Sequence, residues 1–303
     1  MPLSFPLRGI ITPTITPLTA DFSLDQPSLR KLLEHIIAGG VHGIFALGTS
    51  GEGPMLSLKT QCEVIAESCR IAAGRVPVLA GVTHSSIEES LDLARHAAHC
   101  GADAVVHAGP LYMPVGQQQL IRFIERFADA SPLPVFLYNM PSHTHVVFEE
   151  TTVARLAAHR NVAGLKDSSS QILYLHGLIR AVRDRPDFSL LVGPEEMTAE
   201  CILLGIHGGV NGGSNLFPKL YVELYEAASA GNLERVRTLQ ERVILISRKI
   251  YSAGTYGSSY LQGVKCAASL LGLCRNILAP PYAPLEGDDF ELIRSHLAEL
   301  KAL

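Results

Sequence analysis
Short apolar runs alternate along the chain with longer helical stretches. The runs are Gly9–Pro13, Gly43–Leu47, Pro77–Val82, Ala104–His107, Val135–Tyr138, Val162–Lys166, Ser189–Gly193 and Gly208–Asn211. They are apolar almost throughout instead of alternating with polar residues, which is how strands buried on both faces read. The stretches between them carry helix punctuation. Asp25, Ser57 and Ser86 stand as N-caps, Ser86-Ile87-Glu88-Glu89 fits a capping box, and Gly74 and Gly101 stand as stops. Eight strand–helix units predict parallel strands joined by right-handed crossovers. The expected fold is α/β, a (β/α)8 TIM barrel over residues 1–230. A doubly wound sheet is the alternative, but eight even units without a nucleotide fingerprint favour closure. Beyond residue 231 the strands stop. Asn232–Ser252, Gly257–Leu271 and Asp288–Leu303 predict a C-terminal three-helix extension over 231–303.

Composition narrows the class. Apolar residues make up 47% of the 303 and charged residues 18%, below the average of about 25% for soluble domains. Disorder, a coiled coil and a charged scaffold are excluded. A single barrel accounts for the length, since such folds use ~250 residues. The net charge of −4 is spread evenly, so no basic stripe is available for nucleic acid. No apolar stretch approaches the ~20 residues a membrane helix needs. Residues 1–19 hold one Arg and four prolines and do not read as a signal peptide. The six cysteines include no C-x-x-C, which points to a reducing, cytoplasmic setting.

In a barrel of this kind the reactive groups sit at the C-terminal ends of the strands. Lysine is scarce, seven residues in all, and Lys166 lies at such an end, after Val162-Ala163-Gly164-Leu165. Burial disfavours an ammonium, and a neutral amine is what forms an imine with a keto group. The bland alternative is a lysine snorkelling to the rim. Lys219, at the start of a helix, reads as solvated. Tyr138 ends the neighbouring strand, where a phenol can pass protons beside an imine. Thr49 and Ser50 stand between glycines, where backbone N–H groups can converge on a carboxylate.

Together, Gly48-Thr49-Ser50-Gly51-Glu52, Tyr138-Asn139-Met140-Pro141 and Gly164-Leu165-Lys166-Asp167 resemble the pyruvate-dependent class I aldolases of the dihydrodipicolinate synthase / N-acetylneuraminate lyase family. The resemblance covers essentially the whole chain, and its motifs specify the superfamily far better than the substrate. It implies that Lys166 forms an imine with pyruvate or another 2-oxo acid, so that no separate cofactor or metal is needed. It further implies that Tyr138 shuttles the proton, that the Thr49 hydroxyl belongs to a relay, and that the Thr49 and Ser50 N–H groups hold the carboxylate. Tyr112 matches, in a loop one residue short, a tyrosine that synthases lend to a neighbouring subunit. Val210 falls where a backbone carbonyl of the family usually faces the substrate, and the resemblance also implies a homotetramer of two tight dimers.

The second substrate is less determined. Synthases using aspartate semialdehyde usually carry an arginine after Pro-Ser in the loop after strand 5, where this chain has Ser142-His143-Thr144-His145. Histidine lacks the bidentate fork of arginine. Glu195 and Glu196 align with acidic positions that bind sugar hydroxyls in the lyase branch, although both also suit a helix N-terminus. Asn211, Gly212 and Ser214 add polar space. Ser168 stands where the lyase branch usually has Thr. The expected reaction is therefore cleavage or dehydration of a 2-keto-3-deoxy sugar acid into a 2-oxo acid and an aldehyde, with synthase condensation as the alternative. Two rivals come from other classes. A metal-dependent hydrolase would use His143-x-His145 with His107, but such enzymes commonly carry His-x-His on strand 1, where this chain has Thr12-Pro13-Thr14, and usually need a carboxylate in reach. A non-catalytic 2-oxo-acid binder would keep Thr49 and Ser50 without needing both Tyr138 and Lys166. Phosphosugar binding at Gly208–Gly213 lacks a nearby cation.

Overall fold
Eight segments whose side chains are buried on both faces become strands, and each is followed by an amphipathic segment that covers it. The structure, a computed structural model, describes residues 3–254 and 259–302. The strands are β1 (Gly9–Pro13), β2 (Gly43–Ala46), β3 (Val78–Gly81), β4 (Ala104–His107), β5 (Val135–Asn139), β6 (Val162–Asp167), β7 (Ser189–Val192) and β8 (Gly208–Gly209). Each pairs in parallel with the next, and β8 pairs with β1, so the barrel is closed. The helices between them are α1 (Gln26–Ala38), α2 (Leu58–Ala72), α3 (Ile87–Cys100), α4 (Gln117–Ala130), the single turn α5 (Pro141–Thr144), α6 (Glu150–Ala157), α7 (Ile172–Ala181), α8 (Thr198–Leu203) and α9 (Pro218–Ser229).

The expected N-caps are in place. The side chains of Asp25, Ser57 and Ser86 accept from Ser28 N, Thr60 N and Glu89 N, satisfying amide donors that the first turn leaves free. Gly101 ends α3 at φ +86°. At α2 the left-handed cap is Ala73, at φ +49°, one residue ahead of the expected Gly74. The last strand, two residues long, is shorter than the apolar run suggests, although Val210 N still donates to Val192 O at 2.8 Å. Closure there depends on glycine: a Cβ on Gly208 would lie 1.9 Å from the Gly9 carbonyl oxygen.

Ile11, Phe45, Leu79, Val106, Phe136 and Leu191 fill the barrel interior, and a second apolar layer lies between strands and helices. Both fit a barrel packed as a core rather than a pore. The C-terminal part forms α10 (Leu233–Ile250), α11 (Ser259–Leu270) and α12 (Gly287–Ala302). The expected start of the second of these at Gly257 and the expected end of the third at Leu303 lie outside the described residues. These helices do more than append to the barrel. Gln240 of α10 donates to the carbonyls of Glu195 and Glu196 after β7, so α10 is tied to the face formed by the C-terminal ends of the strands. No helix among the described residues is long and apolar enough to cross a membrane.

Candidate active site
Parallel pairing of β5 and β6 puts Tyr138 opposite Lys166, and both side chains point up into the mouth. Lys166 is 6% exposed. Its Nζ sits 4.1 Å from the centre of the Tyr138 ring and 5.4 Å from that of Phe45. Among the described residues no carboxylate stands within ion-pair distance of it. The reading of a rim lysine snorkelling to water therefore fails, whereas Lys219 is the solvated side chain expected, facing Glu223 at 3.9 Å on the surface. Tyr138 shares a 3.1 Å hydrogen bond with the Thr49 hydroxyl. The turn after β2 thus brings its hydroxyl to the phenol beside the amine.

A cavity of about 290 Å3 opens over Lys166. Thr49, Ser50, Tyr138, His143, Glu195, Glu196 and Val210 all line it, so most of the residues singled out in the sequence converge. The N–H groups of Thr49 and Ser50 donate to no acceptor among the described residues. Two unsatisfied donors on one tight turn form a nest for an anion such as a carboxylate. Burial and the neighbouring Lys166 and His145 push the His143 imidazole below its ordinary range, so it offers hydrogen bonds rather than charge at neutral pH.

Other expected residues have different surroundings. The side chain of Asn211 is fully buried and donates to Gly193 O at 3.2 Å and to Thr198 Oγ1 at 2.9 Å. It braces the loops after β7 and β8 instead of facing the cavity. Glu195 lies at the cavity wall with its carboxylate engaged. Oε1 accepts from the phenols of Tyr221 and Tyr251, the latter at 2.6 Å, and Oε2 accepts from Gly213 N at 3.0 Å. Burial pushes this carboxyl up to about 7, the three hydrogen bonds working against that shift. Glu196 accepts from Ser247 of α10. Tyr112 is 96% exposed and borders a second, larger opening of about 490 Å3 beside Tyr138 and His143. His107 is fully buried and shares a hydrogen bond with Ser90. Among the described residues no three His, Cys, Asp or Glu side chains gather as a metal site would require.

Several neighbours were not singled out in the sequence. Tyr260 of α11 shares a 2.8 Å hydrogen bond with the Ser50 hydroxyl, and its ring meets that of Tyr251 edge-on at 4.8 Å. Tyr282 lines both openings. No local pattern marks these tyrosines, because their partners lie up to 210 residues away. Asp167, next to Lys166, is also buried. It accepts from Asn139 Nδ2 at 2.8 Å and from Ser169, and burial raises its carboxyl above the usual range.

Comparison with known proteins agrees with this geometry. Residues 6–300 match the model of the dihydrodipicolinate synthetase family. A structure described as dihydrodipicolinate synthase from Bacteroides thetaiotaomicron superposes with a TM-score of 0.95 at 52% identity, covering 98% of this chain and 99% of that one. A prophage protein from E. coli K12 of the dihydrodipicolinic acid synthase family, solved with pyruvate, gives a TM-score of 0.92 at 29% identity, with 98% and 100% covered. A 4-hydroxy-tetrahydrodipicolinate synthase of Gluconacetobacter diazotrophicus is 32% identical over 96% of each chain. The chain belongs to the dihydrodipicolinate synthetase family, a family of lyases of the pyruvate-dependent class I aldolase kind.

Proposed function
We propose that the protein forms an imine between Lys166 and the keto carbon of pyruvate or a related 2-oxo acid, and makes or breaks a carbon–carbon bond to an aldehyde. The observation that carries this reading is the buried Lys166 amine, unpaired among the described residues, beside the Tyr138–Thr49 hydrogen bond. The amine adds to the keto carbon, water leaves, and the protonated imine withdraws electrons from the adjacent C3. Loss of a C3 proton then gives an enamine, which adds to the aldehyde; the reverse sequence cleaves. Tyr138 and Thr49 carry protons to and from the carbinolamine and the new hydroxyl. The Thr49 and Ser50 N–H groups hold the carboxylate, which fixes the keto carbon against the amine. The imine is itself the electron sink, so the reading calls for no separate cofactor. Tyr112 projects from the subunit, in keeping with its lending the phenol to a neighbour's site in a homotetramer.

For the aldehyde, the names of the relatives support aspartate semialdehyde and the synthase reaction. A second reading is cleavage or dehydration of a 2-keto-3-deoxy sugar acid. It is favoured by one observation: among the described residues lining the two openings, Lys166 is the only Lys or Arg. A carboxylate on the second substrate would find no cation there, whereas the Ser168, Ser170 and Tyr282 hydroxyls suit a polyol.

Borohydride reduction in the presence of pyruvate tests the chemistry. A stable adduct on the peptide containing Lys166, lost in Lys166→Ala together with turnover, is expected. An unmodified peptide would leave a binding protein and refute the reading. Turnover assays with aspartate semialdehyde plus pyruvate, beside pyruvate release from a panel of 2-keto-3-deoxy acids, separate the two substrates.

A further inference from the structure
Of the described lysines, only Lys166 and Lys265 are buried, and the imine chemistry leaves Lys265 without a role. It lies on α11, and its Nζ stands 2.6 Å from Glu52 Oε1 and donates to the Thr16 carbonyl at 2.5 Å. Both charged side chains are at most 1% exposed. The second carboxylate oxygen, Oε2, accepts from Ala279 N at 2.6 Å. Glu52 is two residues past Ser50, at the end of the turn that presents the open N–H groups, and has φ +57°. A side chain in that left-handed region is disfavoured and persists only when its surroundings hold it. The turn is also pressed backbone to backbone: a Cβ on Gly51 would lie 2.8 Å from Thr14 O, and one on Gly53 2.2 Å from Leu47 O. Thr16 Oγ1 donates to Gly51 O at 2.7 Å, completing a clamp from the end of β1.

We propose that the buried Lys265–Glu52 ion pair is a positioning device for the keto-acid carboxylate, locking the Thr49–Ser50 turn to the C-terminal extension. Stability is a poor explanation for such a pair, because desolvation offsets most of its Coulombic gain. Position is a better one. Two N–H groups must converge on one carboxylate, and a turn left free to sample other orientations must be ordered at the moment of binding, which weakens its hold on the keto acid. The ammonium grips Glu52 and Thr16 at once, so it fixes the turn against both β1 and α11. The proposal rests on the 2-oxo-acid reading above.

The test uses Glu52→Gln/Lys265→Met, in which a neutral amide keeps the Ala279 hydrogen bond and the methionine fills the lysine's volume. Lys265→Met and Glu52→Gln alone are measured beside it. Sites are counted by borohydride trapping, and kcat and KM for pyruvate are taken per competent site. The expected result in every variant that folds is a KM for pyruvate raised ~10-fold or more, with kcat within about threefold at saturation. A purely structural role would lower the number of competent sites and leave KM unchanged. That outcome, or failure of all three variants to fold, overturns the proposal. Absence of an adduct in the unsubstituted protein would instead overturn the 2-oxo-acid reading, which the variants leave untouched.

Discussion

Glu195→Gln isolates the electrostatic cost of a carboxylate enclosed by Tyr221, Tyr251 and the Gly213 amide. Burial raises this carboxyl from 4.5 to about 7. Between those pH values the folded chain keeps a proton that the unfolded chain has released. The stability this contributes is fully present below about 4.5 and is lost as pH rises through about 7. A rise of that size, at 1.36 kcal/mol per unit, corresponds to ~3 kcal/mol. Glutamine has no proton to lose. Its amide can still meet the phenols and the Gly213 N–H by turning over, and any mismatch there is constant with pH. Urea unfolding of both proteins at pH 5, 6, 7 and 8 gives the difference directly. The unsubstituted protein is expected to lose ~2.5 kcal/mol relative to the variant across that range, most of it between pH 5 and 7.5. A difference that stays flat, or that grows in favour of the unsubstituted protein at high pH, would show that the phenols and the amide keep Glu195 ionised throughout.

His143→Arg places a permanent cation beside the second-substrate opening, where a guanidinium forms charge-assisted bonds with a carboxylate. It should raise kcat/KM for aspartate semialdehyde ~10-fold or more and leave pyruvate trapping on Lys166 intact; steady-state kinetics with the two substrates read this, and an unchanged ratio would mean that the site recognises that aldehyde by other means. Gly208→Ala drives a Cβ to 1.9 Å from the Gly9 carbonyl oxygen, where neither backbone can give way without opening the β1–β8 seam. It should cost about 3 kcal/mol or more, visible as a lowered denaturation midpoint, while an unchanged midpoint would show that the seam is not close-packed.

Much of the architecture is legible locally. Strands buried on both faces leave uninterrupted apolar runs, and the ends of those runs mark the catalytic face of a closed barrel. That rule singles out Lys166, Tyr138, Thr49 and Ser50, because each is fixed by its own strand end. It also singles out Asn211, where the same logic fails: a residue just past a strand can turn its side chain inward to Gly193 and Thr198 as readily as outward to the cavity. Lys265 shows the opposite failure. It interrupts the apolar segment Gly263-Val264-Lys265-Cys266-Ala267-Ala268, a visible anomaly, but only a partner more than two hundred residues away gives that charge a meaning.

The order and spacing of residues determine which segments form strands and helices, since periodicity and capping act over one or two turns of chain. They also single out Lys166 as the candidate amine, because a lysine closing an apolar strand stands apart from its neighbours. Tertiary closure decides the rest: that Tyr251 and Tyr260 reach Glu195 and Ser50, that Lys265 of α11 meets Glu52, and that Asn211 faces away. Those contacts join elements distant in the chain, and no local pattern encodes which of several exposed faces will meet when the barrel and its C-terminal helices dock.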